Sequence, residues 1–298
     1  MTEVIASLAG LDGRYRALFC DLWGCLHDGK RPYPAAVAAL QAFRAGGGRV
    51  ILVTNSPRPR SDVIRQLDGL GVPRDAWDDI ASSGDAAQYA ALTGAVGFKV
   101  HHIGGPKDES FFSELSEDLK VIAAQNPALE RVALAQAEGL IVTGLRDDQT
   151  ETPEDYRAEL LLAKTNGLTL LCANPDIIVD IGEKRVYCAG ALAQAYEEMG
   201  GEALYFGKPH PPIYDLARRR LAALNGGVID DAEILCVGDG ISTDVLGGQQ
   251  EGLDSLFITG GLAHAEFGAD VENPDALRLQ DYLDAREQVA TYAMGRLR

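Results

Sequence analysis

ALFCDLWGCLHDG, running from Ala17 to Gly29, is the stretch whose reading decides the fold of this chain. It opens with four residues of apolar character, Ala17–Cys20, and ends that run abruptly on an acid, Asp21. A short, uninterrupted apolar run bounded by polar and glycine residues reads as a strand buried on both faces, the kind found inside parallel sheets. The same pattern recurs along the chain. Residues 50–53 end on Thr54, residues 203–206 lead through Gly207 to Lys208, and residues 234–237 lead through Gly238 to Asp239. Residues 255–258 form a further run of this type.

Helical patterns lie between these runs. Pro34 opens one, with Val37, Leu40 and Phe43 on one face and Gly46 to Gly48 ending it. Ser61 caps the next, whose apolar face holds Val63, Ile64, Leu67 and Leu70. Strand–helix alternation predicts an α/β fold with a Rossmann-like, doubly wound parallel sheet. The middle of the chain repeats the alternation on its own elements. Residues 99–103, 131–134 and 140–142 read as strands, and residues 153–165 read as a helix. This middle part is expected to be a second α/β domain inserted into the first, with residues 1–88 and 203–298 forming the discontinuous core and residues 89–202 the insert. Residues 275–298 read as a closing helix.

In a parallel sheet the carboxyl ends of the strands lie along one edge, where ligands bind. Asp21, Thr54, Lys208 and Asp239 would then converge there, with further acids at Asp28 and Asp244. Carboxylates beside a hydroxyl and an ammonium make a site for a hard cation next to a phosphoryl group. The net charge of −17 excludes nucleic acid as a natural partner, because the phosphate backbone is repelled. It would also repel an anionic metabolite unless the site supplies its own cation. No apolar run is long enough for a bilayer span and no signal peptide precedes the first strand, so a cytoplasmic location without a membrane partner is expected. The five cysteines, Cys20, Cys25, Cys172, Cys188 and Cys236, read as buried reduced thiols.

At these residues the sequence resembles the haloacid dehalogenase superfamily. Asp21 to Gly29 looks like its first motif, Val53-Thr54-Asn55-Ser56 its second, Gly207-Lys208-Pro209 its third and Gly238 to Asp244 its fourth. The stretch Cys172 to Asp176, followed by Cys188 to Leu192, is similar to the subfamily of NagD-like, 4-nitrophenylphosphatase-like and pyridoxal-phosphatase-like enzymes. The resemblance implies a Mg²⁺-dependent phosphohydrolase of small phosphorylated metabolites, with the insert acting as a cap. Asp21 would be the nucleophile that becomes an aspartyl phosphate. Thr54 and the Asn55 backbone would hold phosphoryl oxygens, and Lys208 would neutralise charge. Mg²⁺ would be held by Asp21, the Trp23 carbonyl and Asp239, with Asp244 beside them or holding Lys208. Asn174 and Asp176 would face the substrate, and a homodimer is implied as well.

The sequence departs from the family at one position. Phosphatases of this superfamily carry a second aspartate two residues after the nucleophile, which protonates the leaving oxygen; Trp23 stands there. General acid catalysis is worth about 10²–10⁴-fold, so substrates with good leaving groups are favoured. His27 or Asp28, just downstream, would be surrogate acids. Alternatively the chain is a catalytically impaired relative that binds a phosphorylated ligand. Dehalogenases also lack the acid, but they use no Mg²⁺, and the retained Asp239 and Asp244 argue against that chemistry. Trp23 itself would either fill space or stack on a ring-bearing substrate.

Overall fold

The computed structural model describes residues 2–11, 13–181 and 184–298. It divides into two compact units, Met1–Thr54 with Gln66–Ala81 and Lys208–Arg298, and Asn55–Arg65 with Ser82–Gly207. The sequence-based boundaries were 88/89 and 202/203.

The first unit is built on a seven-stranded sheet. Its order is Glu3–Val4, Tyr292–Met294, Asp254–Ile258, Ile234–Gly238, Ala17–Cys20, Arg49–Thr54 and Asp79–Ser82. Ala17–Cys20 lies near the middle and pairs in parallel with Ile234–Gly238 on one side and Arg49–Thr54 on the other. All four of its residues are buried, which is why the run carries no polar residue. The register sets Cys20 opposite both Val237 and Leu52. The next residues of all three strands therefore emerge together at the carboxyl edge. The Asp21 N–H still donates to the Val237 carbonyl at 2.8 Å, so the acid is fixed by the ladder itself.

The second unit has its own five-stranded sheet, in the order Glu202–Tyr205, Thr169–Cys172, Gly139–Val142, Lys99–Ile103 and Glu130–Arg131, with every pair parallel. An antiparallel hairpin, Ile178–Ile181 with Lys184–Tyr187, stands apart. The helix Arg157–Thr165 buries Leu160 and Ala163 against this sheet's core, where Tyr156, Leu170 and Leu192 also pack.

Three expectations are corrected. The apolar run at 203–206 is a strand, but Glu202–Tyr205 pairs with Thr169–Cys172 rather than with the strand before Asp21. Lys208 thus enters the first unit directly from the edge strand of the second sheet. The reading of 275–298 as one helix also fails. The helix Ala276–Asp284 buries Leu279 and Leu283, then stops; Glu287 takes a left-handed φ of 54°, and Tyr292–Met294 joins the main sheet. Finally, the strand read at 131–134 is only Glu130–Arg131, followed by a turn of 3-10 helix, Leu134–Gln136. Among the described residues, no helix is long and apolar enough to cross a membrane.

Candidate active site

The carboxyl edge of the first unit's sheet gathers Asp21, Thr54, Lys208, Asp239 and Asp244, all buried. Lys208 holds the group together. Its Nζ donates to Asp21 Oδ1 and to Asp244 Oδ1, both at 2.7 Å. Burial alone would lower an ammonium's pKa, but the attraction of Asp21 and Asp244 overrides it and pushes Lys208 well above its usual range. The lysine is therefore a fixed cation.

The carboxylates respond in the opposite sense. Burial pushes Asp239 well above the usual carboxylate range, and Asp21 and Asp244 add to the rise. Asp244 is pushed up to about 6 by burial, against the pull of Lys208. Asp21, Asp239 and Asp244 crowd one buried edge with Lys208, and their mutual repulsion adds to the rise of Asp239. That is the electrostatic signature of a site made for a divalent cation or for added positive charge.

The donor atoms fit a hard cation. Ligand atoms of Asp21, Asp239 and Cys25 lie within 4.8 Å of one another. Cys25 is displaced from that role by its chemistry: burial and the neighbouring Asp239 push its thiol well above the ordinary value, so it stays protonated. The two carboxylates remain as the oxygen ligands a cation such as Mg²⁺ prefers. Asp239 is held in a glycine cradle. Leu262 N–H donates to its Oδ2 at 2.9 Å, and Oδ1 has no partner among the described residues. A Cβ at Gly24 would stand 2.0 Å from Oδ2, and one at Gly261 would stand 1.9 Å from it. Gly24 also has a φ of 73°, which side-chain-bearing residues rarely adopt. The Trp23 carbonyl accepts no hydrogen bond among the described residues.

Asp244 takes the second of its two expected places, beside Lys208. Its Oδ1 accepts from Lys208, while Oδ2 accepts from Gly240 N–H at 3.1 Å and from the Thr243 hydroxyl at 3.3 Å. Both oxygens are engaged by protein donors, which fits the role of holding Lys208. A single wide turn of π-helix, Ile241–Val245, delivers it; such turns often mark functional sites.

Neither surrogate acid is in a state to donate a proton. His27 is fully buried, and its Nδ1 accepts from Gly29 N–H at 3.1 Å. Burial lowers its pKa to about 4, so the ring is neutral near pH 7. Its Nε2 reaches no protein partner among the described residues. Asp28 Oδ1 accepts from the N–H groups of Lys30 and Arg31 at 2.9 and 2.8 Å. Slight burial opposes it, but those bonds and the Arg31 charge hold Asp28 below its usual pKa, as an ionised turn residue. Thr54 ends its strand at the same edge as Asp21.

Asn55, Asn174 and Asp176 belong to the second unit. There the Asn55 side-chain amide donates to Asp176 Oδ1 at 2.8 Å, and Asn174 Oδ1 accepts from Asp176 N–H at 3.0 Å. The sequence reading missed Cys25, Gly24 and Gly261. Only the G-C pair directly after Trp23 hinted at the first two, and nothing in the chain pointed to Gly261.

Comparison with known proteins gives a consistent picture. Residues 18–116 match the family described as haloacid dehalogenase-like hydrolase, and residues 205–285 match a second family described as haloacid-dehalogenase-hydrolase-like. A crystal structure of a hydrolase of the haloacid dehalogenase-like family from Brucella suis 1330 superposes with a TM-score of 0.84 at 38% identity, covering 99% of this chain and 100% of that one. The ribonucleotide monophosphatase NagD of Escherichia coli (strain K12) is 26% identical over 248 residues, 83% of this chain and 88% of the relative. The 5'-nucleotidase YutF of Bacillus subtilis (strain 168) is 25% identical over 263 residues, 87% and 93% of the two chains.

Proposed function

Because this chain belongs to the haloacid dehalogenase-like hydrolases, we propose that it is a Mg²⁺-dependent phosphohydrolase of small phosphorylated metabolites, working through Asp21 and favouring substrates with good leaving groups. The observation that carries the proposal is the buried Asp21–Lys208–Asp244 bridge with Asp239 beside it. A carboxylate that attacks a phosphate dianion must overcome repulsion between like charges. A pre-positioned lysine and a cation site are what that attack requires.

Asp21 attacks phosphorus, the bond to the leaving oxygen breaks, and the leaving group departs with the electron pair. Water then cleaves the aspartyl phosphate, releasing inorganic phosphate and restoring the carboxylate. Lys208 offsets the charge that builds on the transferring oxygens, and Asp244 keeps it aimed. Thr54 contributes its hydroxyl to the phosphoryl oxygens. Asp21, Asp239 and the Trp23 carbonyl would hold Mg²⁺, which supplies Lewis-acid neutralisation of the two anions when bound. The roles that the resemblance gives Asn55, Asn174 and Asp176 in substrate contact are carried as part of the proposal. NagD and YutF are named as phosphatases of nucleotides; the substrate here is proposed only as a small phosphate ester or anhydride.

With Trp23 in the acid's place, His27 neutral and Asp28 ionised, none of these three side chains protonates the leaving oxygen. An acyl or aryl phosphate needs no such proton. The test is phosphate release with Mg²⁺ from acetyl phosphate, 4-nitrophenyl phosphate and a set of alkyl phosphates. Release from the first two supports the proposal. The same missing acid favours a second reading, a relative that binds a phosphorylated ligand without turning it over. Failure to release phosphate from any substrate would select that reading.

The cation site has its own prediction. Gly261→Ala puts a Cβ 1.9 Å from Asp239 Oδ2, so the carboxylate must move. Disturbing the support of a metal ligand typically costs about 10–100-fold in affinity. Calorimetric titration with Mg²⁺ should show a loss of that size, and unchanged affinity would remove Asp239 from the ligand set.

A further inference from the structure

Trp23 is held in place by the loop that follows it. Its ring meets the His27 ring edge-on, with centroids 5.1 Å apart and planes at 73°. The chain closes on itself here, with Trp23 bridged to His27 and Gly24 N–H donating to the His27 carbonyl at 3.0 Å. Beneath the indole lies Gly29, whose φ of 83° suits glycine. A Cβ there would stand 2.4 Å from Trp23 Cζ3 and 2.5 Å from Cη2. His27 Nδ1 in turn holds Gly29 by its N–H at 3.1 Å. Cζ3 and Cη2 belong to the six-membered ring, remote from Nε1, so the benzo edge is pinned and the N–H side is turned away from Gly29. The indole N–H has no partner among the described residues, and the side chain as a whole is only half-buried.

An aromatic that merely fills space has no need of a glycine floor and a buried histidine wall to fix its orientation. This one is clamped on one edge yet stays half-buried, with its N–H unpartnered among the described residues, two residues along the chain from the attacking carboxylate. Tryptophan pairs such a surface with flat, ring-bearing partners, and its N–H seeks an acceptor. We propose that Trp23 is the specificity-determining platform for a ring-bearing phosphate, an aryl or heteroaryl phosphate whose ring packs on the indole, and that His27 and Gly29 are its positioning residues. This inference rests on the phosphohydrolase reading for its phosphate site, but ring selection is measurable without turnover.

The experiment uses Asp21→Asn, so that no ligand is consumed, with Mg²⁺ present. Calorimetry gives Kd for 4-nitrophenyl phosphate and for inorganic phosphate, and tryptophan fluorescence is followed in parallel. The ring-bearing ligand should bind more tightly than phosphate and quench the emission; phosphate should not quench. Adding Trp23→Leu, which keeps an apolar side chain, should shrink the ratio of the two Kd values by roughly two- to tenfold, the worth of one aromatic pair. Adding Trp23→Phe should restore part of it. A ratio unchanged by Trp23→Leu, or no preference for the ring-bearing ligand in its presence, overturns the inference. If wild type fails to hydrolyse any phosphate yet the ratio falls as stated, the platform stands and the catalytic reading falls.

Discussion

Asp21→Asn is expected to lower phosphate release by at least about 10³-fold while leaving the fold as stable as wild type or more so. The first half follows from the role: an amide is no nucleophile toward phosphorus, and loss of a nucleophile typically removes nearly all of the covalent route. The second half follows from the charges. Asn keeps the shape of Asp and still offers an oxygen to Lys208 Nζ, which now lies 2.7 Å from Asp21 Oδ1. It also removes one of the three acids buried together at this edge. Asp21 is among the causes that raise Asp239, so the variant should relieve that strain. Steady-state release and urea unfolding, read side by side, check both halves. A large fall in stability would mean that Asp21 is a structural group first. No phosphoenzyme should be trapped from acetyl phosphate in the variant.

Lys208→Met should be the most damaging single change to both activity and stability. It takes a 2.7 Å cationic partner from each of two buried carboxylates. Removing one member of a buried charge cluster costs about 3–5 kcal/mol, because the charges left behind are uncompensated. Methionine matches the lysine's length and apolar stem, so packing is not the main loss. Both tryptophans, Trp23 and Trp77, lie in the first unit, so their fluorescence during urea unfolding reports on the part affected. The pH dependence has a definite sign. Asp244 has a folded-state pKa raised to about 6, above the usual carboxylate value of 3.8. A raised acid favours the folded state below its unfolded pKa and loses that contribution as pH rises through the folded one. Without Lys208 the rise is larger, so the variant's deficit should be greatest near pH 8 and smallest toward pH 5. A deficit that grows on acidification would contradict the assignment.

Much of this site was legible in the chain because parallel strands are buried on both faces. A run such as Ala17–Cys20 has no alternation to hide the polar residue that follows it, and the same holds at Thr54 and Asp239. Lys208 was placed for an incomplete reason. An apolar run at 203–206 announces a buried strand but carries no mark of which sheet it joins, and Glu202–Tyr205 joins the other one. The strand Tyr292–Met294 was hidden in an apparent helix, since three residues are too few to show a period and only pairing with Asp254–Ile258 and Glu3–Val4 defines them. The burial of His27 has no mark in the chain because it depends on the loop folding back: Asp28 and Gly29 beside it are residues typical of turns, yet the ring is enclosed. The glycines around Asp239 carry no signal of their own, because their role is the space they leave for a side chain far away in sequence.

The central claim is that phosphoryl transfer here proceeds from Asp21 without a general acid, and a leaving-group series tests it most directly. kcat/KM would be measured with Mg²⁺ for phosphate esters ranging from nitrophenols to simple alcohols, in wild type and in Trp23→Asp. The account predicts a steep fall in wild type as the leaving group becomes more basic, by roughly 10²–10⁴-fold across the series, and a much shallower fall once the aspartate is present. Wild type cleaving alkyl esters as readily as nitrophenyl esters, or a slope that Trp23→Asp leaves unchanged, would contradict it.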